Sequence, residues 1–135
     1  MAGALDARTV DARSVLVIDD SEIARVSMSQ VLHEAGYRVF TLPSPIGATR
    51  MILNHNIGVV VADVLMPGMR GDRLAALFRS NPRFRKVGVV LVSGAADVEL
   101  NELALEVRAN ATLQKSRLKE LPDVVGKVFA RVEDA

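Results

Sequence analysis

Residues 59–71 read VVVADVLMPGMRG. Four apolar residues open this segment, a carboxylate follows at Asp63, and Pro67 with Gly68 then indicates a loop. Strands that are apolar on both faces are typical of a parallel sheet covered by helices on both sides. Asp63 is therefore expected at the carboxyl end of a buried strand, which is the edge where open α/β sheets bind ligands.

The same pattern of an apolar run followed by a helical segment occurs five times along the chain. Such alternation predicts a parallel sheet with right-handed crossovers and helices on both faces. The fold class is thus α/β, a doubly wound, flavodoxin-like (βα)5 sandwich with strand order 2-1-3-4-5. The predicted strands are Val15–Ile18, Tyr37–Leu42 at the sheet edge, Ile57–Ala62, Val87–Val92 and Ala111–Gln114.

Helical spacing of apolar residues predicts the segments between these strands. The first helix is expected over Ile23–Ala35, with Ile23 and Val26 on its apolar face and Met28 as core filler. The remaining helices are expected from Pro45 through Leu53, from Gly71 to before Asn81, through 98–107, and from Leu118 onward with Pro122 in the first turn.

A length of 135 residues suits one compact domain. Residues 1–13 contain few large apolar groups and are predicted to be a flexible extension, with the domain spanning 14–135. No apolar run approaches the roughly 18–20 residues that span a bilayer. Asp6 and Arg8 interrupt the place where a signal peptide would be apolar, so we expect no membrane contact and a cytoplasmic location.

Composition narrows the function classes. The net charge is +1, and one Tyr, four Phe and no Trp leave few stacking platforms, so direct nucleic-acid binding is not expected. Without Cys the chain has neither a thiolate nucleophile nor a zinc site built on Cys. His33 and His55 lack ligand-like spacing and are expected to be polar helix residues.

Five polar residues follow the predicted strands: Asp19, Asp20, Asp63, Ser93 and Lys115. Because the carboxyl ends of parallel strands meet at one edge, these side chains are expected to be neighbours. Three nearby carboxylates repel one another unless a cation joins them, and Mg²⁺ suits such oxygens. A hydroxyl and an ammonium suit phosphoryl oxygens. The set predicts a phosphoryl-transfer site with Asp63 as the nucleophile.

Each of these residues also has a purely structural interpretation when it is taken singly. Asp19, Asp20 or Ser21 could be the N-cap of the first helix, the Asp63 loop could be a simple turn, and Lys115 could be a surface lysine. The positions of all of them at strand ends favour the common site.

The combination resembles the receiver domain of two-component response regulators, over about residues 14–132. The likeness rests on the acid pair Asp19-Asp20, the run Asp63-x-x-Met66-Pro67-x-x-x-Gly71, Ser93 followed by a small residue, and Lys115.

The resemblance implies that Asp63 accepts a phosphoryl group from a phosphohistidine on a sensor histidine kinase or phosphotransfer protein. It also implies that Asp20, Asp63 and the backbone carbonyl of Leu65 ligate Mg²⁺, with Asp19 acting through water. Ser93 and Lys115 would hold the phosphoryl oxygens.

Two positions depart from the family pattern. Thr112 stands where an aromatic residue usually takes part in the switch, so the usual ring rotation is not available. Ser116 stands where Pro usually follows the lysine; a cis bond before a non-proline residue costs roughly 2.5–4 kcal/mol, so the bond is either trans or strained. Leu65 and Ala95 are apolar where relatives can orient the hydrolytic water, which predicts a long-lived phosphoryl group.

We therefore predict a single-domain response regulator that catalyses its own phosphorylation and dephosphorylation and is otherwise not an enzyme. It would switch the binding of an unidentified protein target or relay the phosphoryl group, since no further domain follows Ala135. One alternative is a docking module that no longer takes phosphate. Another is a Mg²⁺-dependent phosphatase with an aspartyl nucleophile, which Leu65 disfavours because that chemistry usually has an Asp two residues after the nucleophile.

Overall fold

The computed structural model describes residues 13–65, 70–94, 102 and 105–134, the side chains of Asp72, Glu133 and Asp134 excepted. The predicted N-terminal extension, apart from Arg13, and most of the predicted helix at 98–107 lie outside the described residues. Within the described part of the chain, no helix is both long enough and apolar enough to cross a membrane.

A five-stranded parallel sheet with the order β2-β1-β3-β4-β5 confirms the predicted fold class. Four strands begin one or two residues away from their predicted starts, and β3 and β4 also continue one residue further than predicted and end on Asp63 and Ser93. The peptide beyond Asp63 still pairs with the neighbouring strand, since Val64 N donates to Val92 O at 3.0 Å. The strands are β1 (Ser14–Ile18), β2 (Arg38–Leu42), β3 (Val59–Asp63), β4 (Gly88–Ser93) and β5 (Ala111–Gln114).

Helices connect these strands and cover both faces of the sheet. Residues 105–107 are also helical, within the segment predicted as the helix between β4 and β5. Pro122 lies in the first turn of the last helix, as predicted. The described helices are α1 (Glu22–Glu34), α2 (Ala48–His55), α3 (Gly71–Ser80), a 3-10 helix (Lys115–Glu120) and α4 (Leu121–Asp134).

Two helix starts differ from the prediction. The second helix begins at Ala48 and not at Pro45, because Gly47 has a φ of +88°, a left-handed conformation that an α-helix does not contain. The last helix begins at Leu121; Leu118 lies in the 3-10 helix before it, where Arg117 has non-helical backbone angles.

Successive residues of the buried strands point to opposite faces and so form two apolar layers. Leu16 and Ile18 of β1 pack with α2 and α3 on one face, whereas Val15 and Val17 pack with α1 and α4 on the other. All five residues of β1 and of β3 are buried. The central strands are therefore apolar on both sides, as their sequences predict.

The buried face of α1 differs from the predicted one. Met28 and Leu32 are its buried residues, while Ile23 is 82% exposed and Val26 is 58% exposed. Five residues separate Ile23 from Met28, which places them about 140° apart on a helix with 3.6 residues per turn. The prediction that Ile23 and Val26 face the core is wrong, and the expectation for Met28 is confirmed.

Glycine at position 88 lets α4 approach the sheet closely. A Cβ at Gly88 would lie 2.5 Å from Val128 Cγ1 of α4 and 3.1 Å from Val59 Cγ2 of β3. Both neighbours are β-branched residues with few alternative rotamers, so they have little freedom to move aside.

We expect Gly88→Ala to lower the free energy of unfolding by about 1–3 kcal/mol, the usual cost of overpacking a core. Gly94→Ala is the matched control, because no atom lies within 4 Å of a Cβ at that position. Urea unfolding of both variants measures the difference. Equal stability of the two variants would contradict the close contact between α4 and the sheet.

Candidate functional site

Three carboxylates meet at the carboxyl ends of the adjacent strands β1 and β3. Asp19 and Asp20 follow β1 and Asp63 ends β3, and one carboxylate oxygen from each lies within 4.8 Å of the others. Asp19 is completely buried, Asp63 is 5% exposed, and Asp20 is exposed to solvent. The juxtaposition expected from the sequence is therefore present in the structure.

Lys115 brings a positive charge to the two buried carboxylates. Its Nζ lies 2.8 Å from Asp19 Oδ2 and 3.3 Å from Asp63 Oδ2. Lys115 begins the 3-10 helix after β5, and β4 lies between β5 and β3. The long side chain therefore reaches across the end of β4 to arrive at the acids.

Asp19 is held in place through both its side chain and its backbone. Its Oδ1 accepts a hydrogen bond from Ser21 N at 2.9 Å, and its carbonyl oxygen accepts one from Arg25 Nη1 at 2.7 Å. Ser21 is itself the N-cap of α1, where its Oγ accepts from Ala24 N. Arg25 was not predicted as a site residue, because in the sequence it is simply a basic residue in the first turn of the predicted helix.

One carboxylate oxygen in the site depends on a single cation. Asp19 Oδ2 is fully buried, and among the described residues its partner is the Lys115 ammonium, 2.8 Å away. A carboxylate oxygen with one partner keeps lone-pair capacity, so this atom can take a further positive ligand.

The electrostatics of the site follow from burial and from the proximity of the acids. Burial raises the pKa of Asp63, the charge of Asp19 raises it further, and Lys115 and the Leu65 N–H only partly oppose this. Burial alone would lower the pKa of Lys115, but hydrogen bonds to and charges on Asp19 and Asp63 outweigh it and raise that pKa above its ordinary value. The ammonium thus stays charged, and one positive charge faces three carboxylates.

The donor set fits a small divalent cation. All the candidate donors are carboxylate oxygens, the class of ligand that Mg²⁺ prefers, and a dication would balance the negative charge that Lys115 leaves. Asp19 Oδ2, whose partner among the described residues is Lys115, has capacity for that additional positive charge. Leu65, the predicted source of a backbone carbonyl ligand, is 62% exposed beside the site, and its ligand role remains a prediction.

Ser93 lies on the same edge of the sheet as the acids. It is the last residue of β4 and is 1% exposed, and Asp63 pairs in register with the preceding residue, Val92. Gly94, which follows it, has open space where a side chain would be. The hydroxyl is therefore one strand away from Asp63, and its role toward a phosphoryl group remains a prediction.

Gly71 is required by the close return of the chain after the loop. A Cβ at this position would overlap the backbone carbonyl of Asp63, and Gly71 N donates to Val64 O at 3.1 Å. Residues 66–69 of the loop, including the predicted motif residues Met66 and Pro67, lie outside the described residues. Glycine is thus needed at position 71 because any side chain would clash with the Asp63 carbonyl. The spacing of the motif in the sequence did not reveal this.

The two departures from the family pattern lie on and after β5. Thr112 is partly buried and pairs in register with Leu91. No peptide bond in the described part of the chain is cis, so the bond between Lys115 and Ser116 is trans. Of the two alternatives for Ser116, the structure therefore has the trans bond.

We expect Lys115→Met to destabilise the metal-free protein by about 2 kcal/mol at neutral pH, because Asp19 and Asp63 would lose their shared counter-charge. Lys119→Met is the control, since Lys119 is exposed in the same 3-10 helix. Urea unfolding in buffer without divalent ions measures both. A loss no larger in Lys115→Met than in Lys119→Met would show that this ammonium does not stabilise the acids.

Comparison with known proteins assigns this geometry to a family. A family model described as the response regulator receiver domain matches residues 15–125. The chain is 33% identical over 125 residues to the phosphoglycerate transport system transcriptional regulatory protein PgtA of Salmonella typhimurium. The matched region covers 93% of this chain and 28% of that protein. It is 29% identical over 83 residues to protein PilG of Pseudomonas aeruginosa, covering 62% of each.

Solved structures agree with this assignment. The chemotaxis protein CheY4 of Vibrio cholerae superposes with a TM-score of 0.74 at 26% identity, covering 90% of this chain and 98% of CheY4. A LuxR-family DNA-binding response regulator from Staphylococcus aureus gives a TM-score of 0.76 at 25% identity, covering 87% and 98%. The chain spans less than a third of the Salmonella protein, so that protein's activity as a whole is not transferred. The chain belongs to the family of response regulator receiver domains.

Proposed function

We propose that this receiver domain accepts a phosphoryl group on Asp63 from a phosphohistidine, with Mg²⁺ as cofactor. The donor would be a sensor histidine kinase or a histidine phosphotransfer protein. The observation that carries the proposal is the convergence of Asp19, Asp20 and Asp63 with Lys115 at one strand edge. Receiver domains are signalling switches, and the family match covers this whole constellation.

In the proposed step, a carboxylate oxygen of Asp63 attacks the phosphorus of the phosphohistidine. A new O–P bond forms while the N–P bond breaks, and the released imidazole nitrogen keeps the bonding pair and takes a proton from solvent. Lys115, now 3.3 Å from Asp63 Oδ2, would pair with a phosphoryl oxygen, and the Ser93 hydroxyl would donate to another. The side chains thus position the group and neutralise its charge.

Asp20, Asp63 and the carbonyl of Leu65 would hold Mg²⁺, with Asp19 acting through water. When bound, the ion would offset the charge on the transferring phosphoryl oxygens. Asp19 would also keep Lys115 in place, because its Oδ2 makes the shorter of the two contacts with the ammonium, 2.8 Å against 3.3 Å.

The phosphoryl donor is proposed to dock beside α1. Ile23 and Val26 are large apolar side chains that α1 leaves exposed, and Ile23 lies three residues after the acidic Asp20. Leu65, two residues after Asp63, is a further large apolar side chain that is exposed. A protein that carries its phosphohistidine on an apolar surface would cover these side chains while it presents the group to Asp63.

The proposed output is a change in the binding of a protein partner, or the onward transfer of the phosphoryl group. Thr112 has no ring to rotate, so the switch would act through Ser93 and the loop that follows it. Direct DNA binding is not part of this proposal. We retain the expected cytoplasmic location as part of the proposal, because sensor kinases present their phosphohistidine there.

A receiver-like docking module that does not take phosphate is the second candidate, and Thr112 is the observation that favours it. The phosphatase alternative has weaker support. The position two residues after Asp63 is held by Leu65, which has no proton to donate to a leaving group.

The test is incubation of the protein with acetyl phosphate or phosphoramidate and Mg²⁺, followed by intact mass measurement. We expect one phosphoryl adduct on the natural sequence and none on Asp63→Asn. Asp123→Asn is the matched control, because Asp123 is an exposed acid on α4 and should leave the adduct unchanged.

The outcomes separate the candidates. An adduct that persists in Mg²⁺ buffer after the donor is removed supports the switch and the long-lived phosphoryl group expected from Leu65 and Ala95, whereas rapid loss contradicts that lifetime. No adduct under any donor or Mg²⁺ concentration supports the docking module. Continuous release of phosphate from the donor at many turnovers supports the phosphatase.

A further inference from the structure

A second group of charged residues lies at the edge of the sheet opposite Asp63, where the strands begin. Four cationic side chains border a cavity of about 190 Å³ before β4 and β5. We call this group the basic pole: Arg79, Arg85, Lys86 and Arg131. Val87, Asn110 and Val132 complete the cavity lining.

Arg79 is fixed at the basic pole by neutral acceptors. Its Nε donates to Arg108 O at 2.9 Å, and its Nη1 donates to Arg85 O at 3.0 Å and Val87 O at 2.8 Å. Its Nη2 donates to Asn110 Oδ1 at 2.7 Å, and the second Nη2 hydrogen has no acceptor among the described residues. The guanidinium is therefore rigidly oriented and its charge is not neutralised by these bonds.

Asn110 joins the other elements to this guanidinium. Its Oδ1 also accepts from Val89 N at 2.7 Å, and its carbonyl oxygen accepts from Arg131 Nη1 at 3.1 Å. Arg131 comes from α4 and Arg79 from α3, so two helices and the start of β4 bond to one residue, Arg79 and Val89 to its side chain and Arg131 to its backbone carbonyl. Arg79 and Arg131 are consequently held by the fold, and Arg85 and Lys86 are exposed cations beside them.

No carboxylate in the described part of the chain forms an ion pair with any of the four cations. Burial, and secondarily the nearby charge of Arg108, lower the pKa of Arg79, because both disfavour its charged form. The ends of α3 and α4 carry only about half a negative charge each, so helix dipoles offset a minor part of four cations.

We propose that the basic pole binds a phosphate group. Guanidinium groups match the geometry of phosphate oxygens and form charge-assisted hydrogen bonds to them, and Lys86 adds an ammonium. The cavity is smaller than the roughly 300–1,000 Å³ of pockets that enclose a whole drug-sized ligand. It therefore suits one phosphate group, either as the free anion or as the end of a small phosphomonoester whose remainder stays in solvent.

The test is isothermal titration of inorganic phosphate and, separately, glycerol 3-phosphate into the full chain at constant ionic strength. Divalent ions are omitted, so that the three carboxylates at the other edge repel the anion. We expect one site per chain. Repeating the titration at a higher fixed NaCl concentration should give a lower affinity. Tighter binding of the monoester identifies a phosphomonoester as the ligand, and equal or tighter binding of inorganic phosphate identifies the free anion.

Lys86→Gln and the double variant Lys86→Gln/Arg131→Gln remove charge while leaving Arg79 and its hydrogen bonds in place. We expect the double variant to bind phosphate about tenfold more weakly or worse, the equivalent of about 1.4 kcal/mol. Arg50→Gln is the matched control, because Arg50 is exposed on α2 and outside the cavity lining. Circular dichroism confirms that the variants are folded.

Four results would overturn the proposal. The first is an absence of heat at millimolar phosphate, and the second is an equal loss of affinity in Arg50→Gln. The third is binding that disappears in Lys115→Met, which would place the anion at the other edge, beside that ammonium. Binding of a short DNA duplex without binding of phosphate would also count against it, since that result indicates a general polyanion surface.

Discussion

Two carboxylates buried side by side against a single ammonium are the constraint on which this structure depends. Asp19 has no exposed surface and Asp63 is nearly buried, yet among the described residues only Lys115 forms an ion pair with them. Burial strengthens the repulsion between like charges and raises the cost of each. The site therefore has more negative than positive charge. A divalent ion would balance this excess, and Lys115 could then pair with a phosphoryl group.

The surrounding elements keep this arrangement in place. Apolar strands place the two acids at one sheet edge, and Ser21 and Arg25 fix Asp19 by hydrogen bonds. Gly71 lets the chain turn back against the carbonyl of Asp63 without a steric clash. The acids lie at the carboxyl ends of the strands, and the basic pole lies at the amino ends, before β4 and β5. The two charged groups are thus on opposite edges of the sheet.

The sheet order and the meeting of the acids followed from the sequence, because apolar runs that end in polar residues define both strand and edge. The orientation of α1 did not, since Ile23 and Val26 are apolar but exposed, and only packing against the sheet selects Met28 and Leu32. The basic pole was also missed. A net charge of +1 does not show that positive and negative residues are segregated in the fold. Arg79 also bonds to Asn110, 31 residues later in the sequence, and local sequence patterns do not reveal such a contact.

The most direct test of the role of the buried acids is to measure the melting temperature as Mg²⁺ is added. The natural sequence is compared with Asp63→Asn. Because burial and Asp19 raise the pKa of Asp63, its ionised form is unfavourable in the folded state at neutral pH. We therefore expect the metal-free Asp63→Asn variant to melt at a higher temperature than the natural sequence, and Mg²⁺ to stabilise the natural sequence more than the variant. A lower melting temperature for metal-free Asp63→Asn, together with equal Mg²⁺ stabilisation of both proteins, would contradict the account.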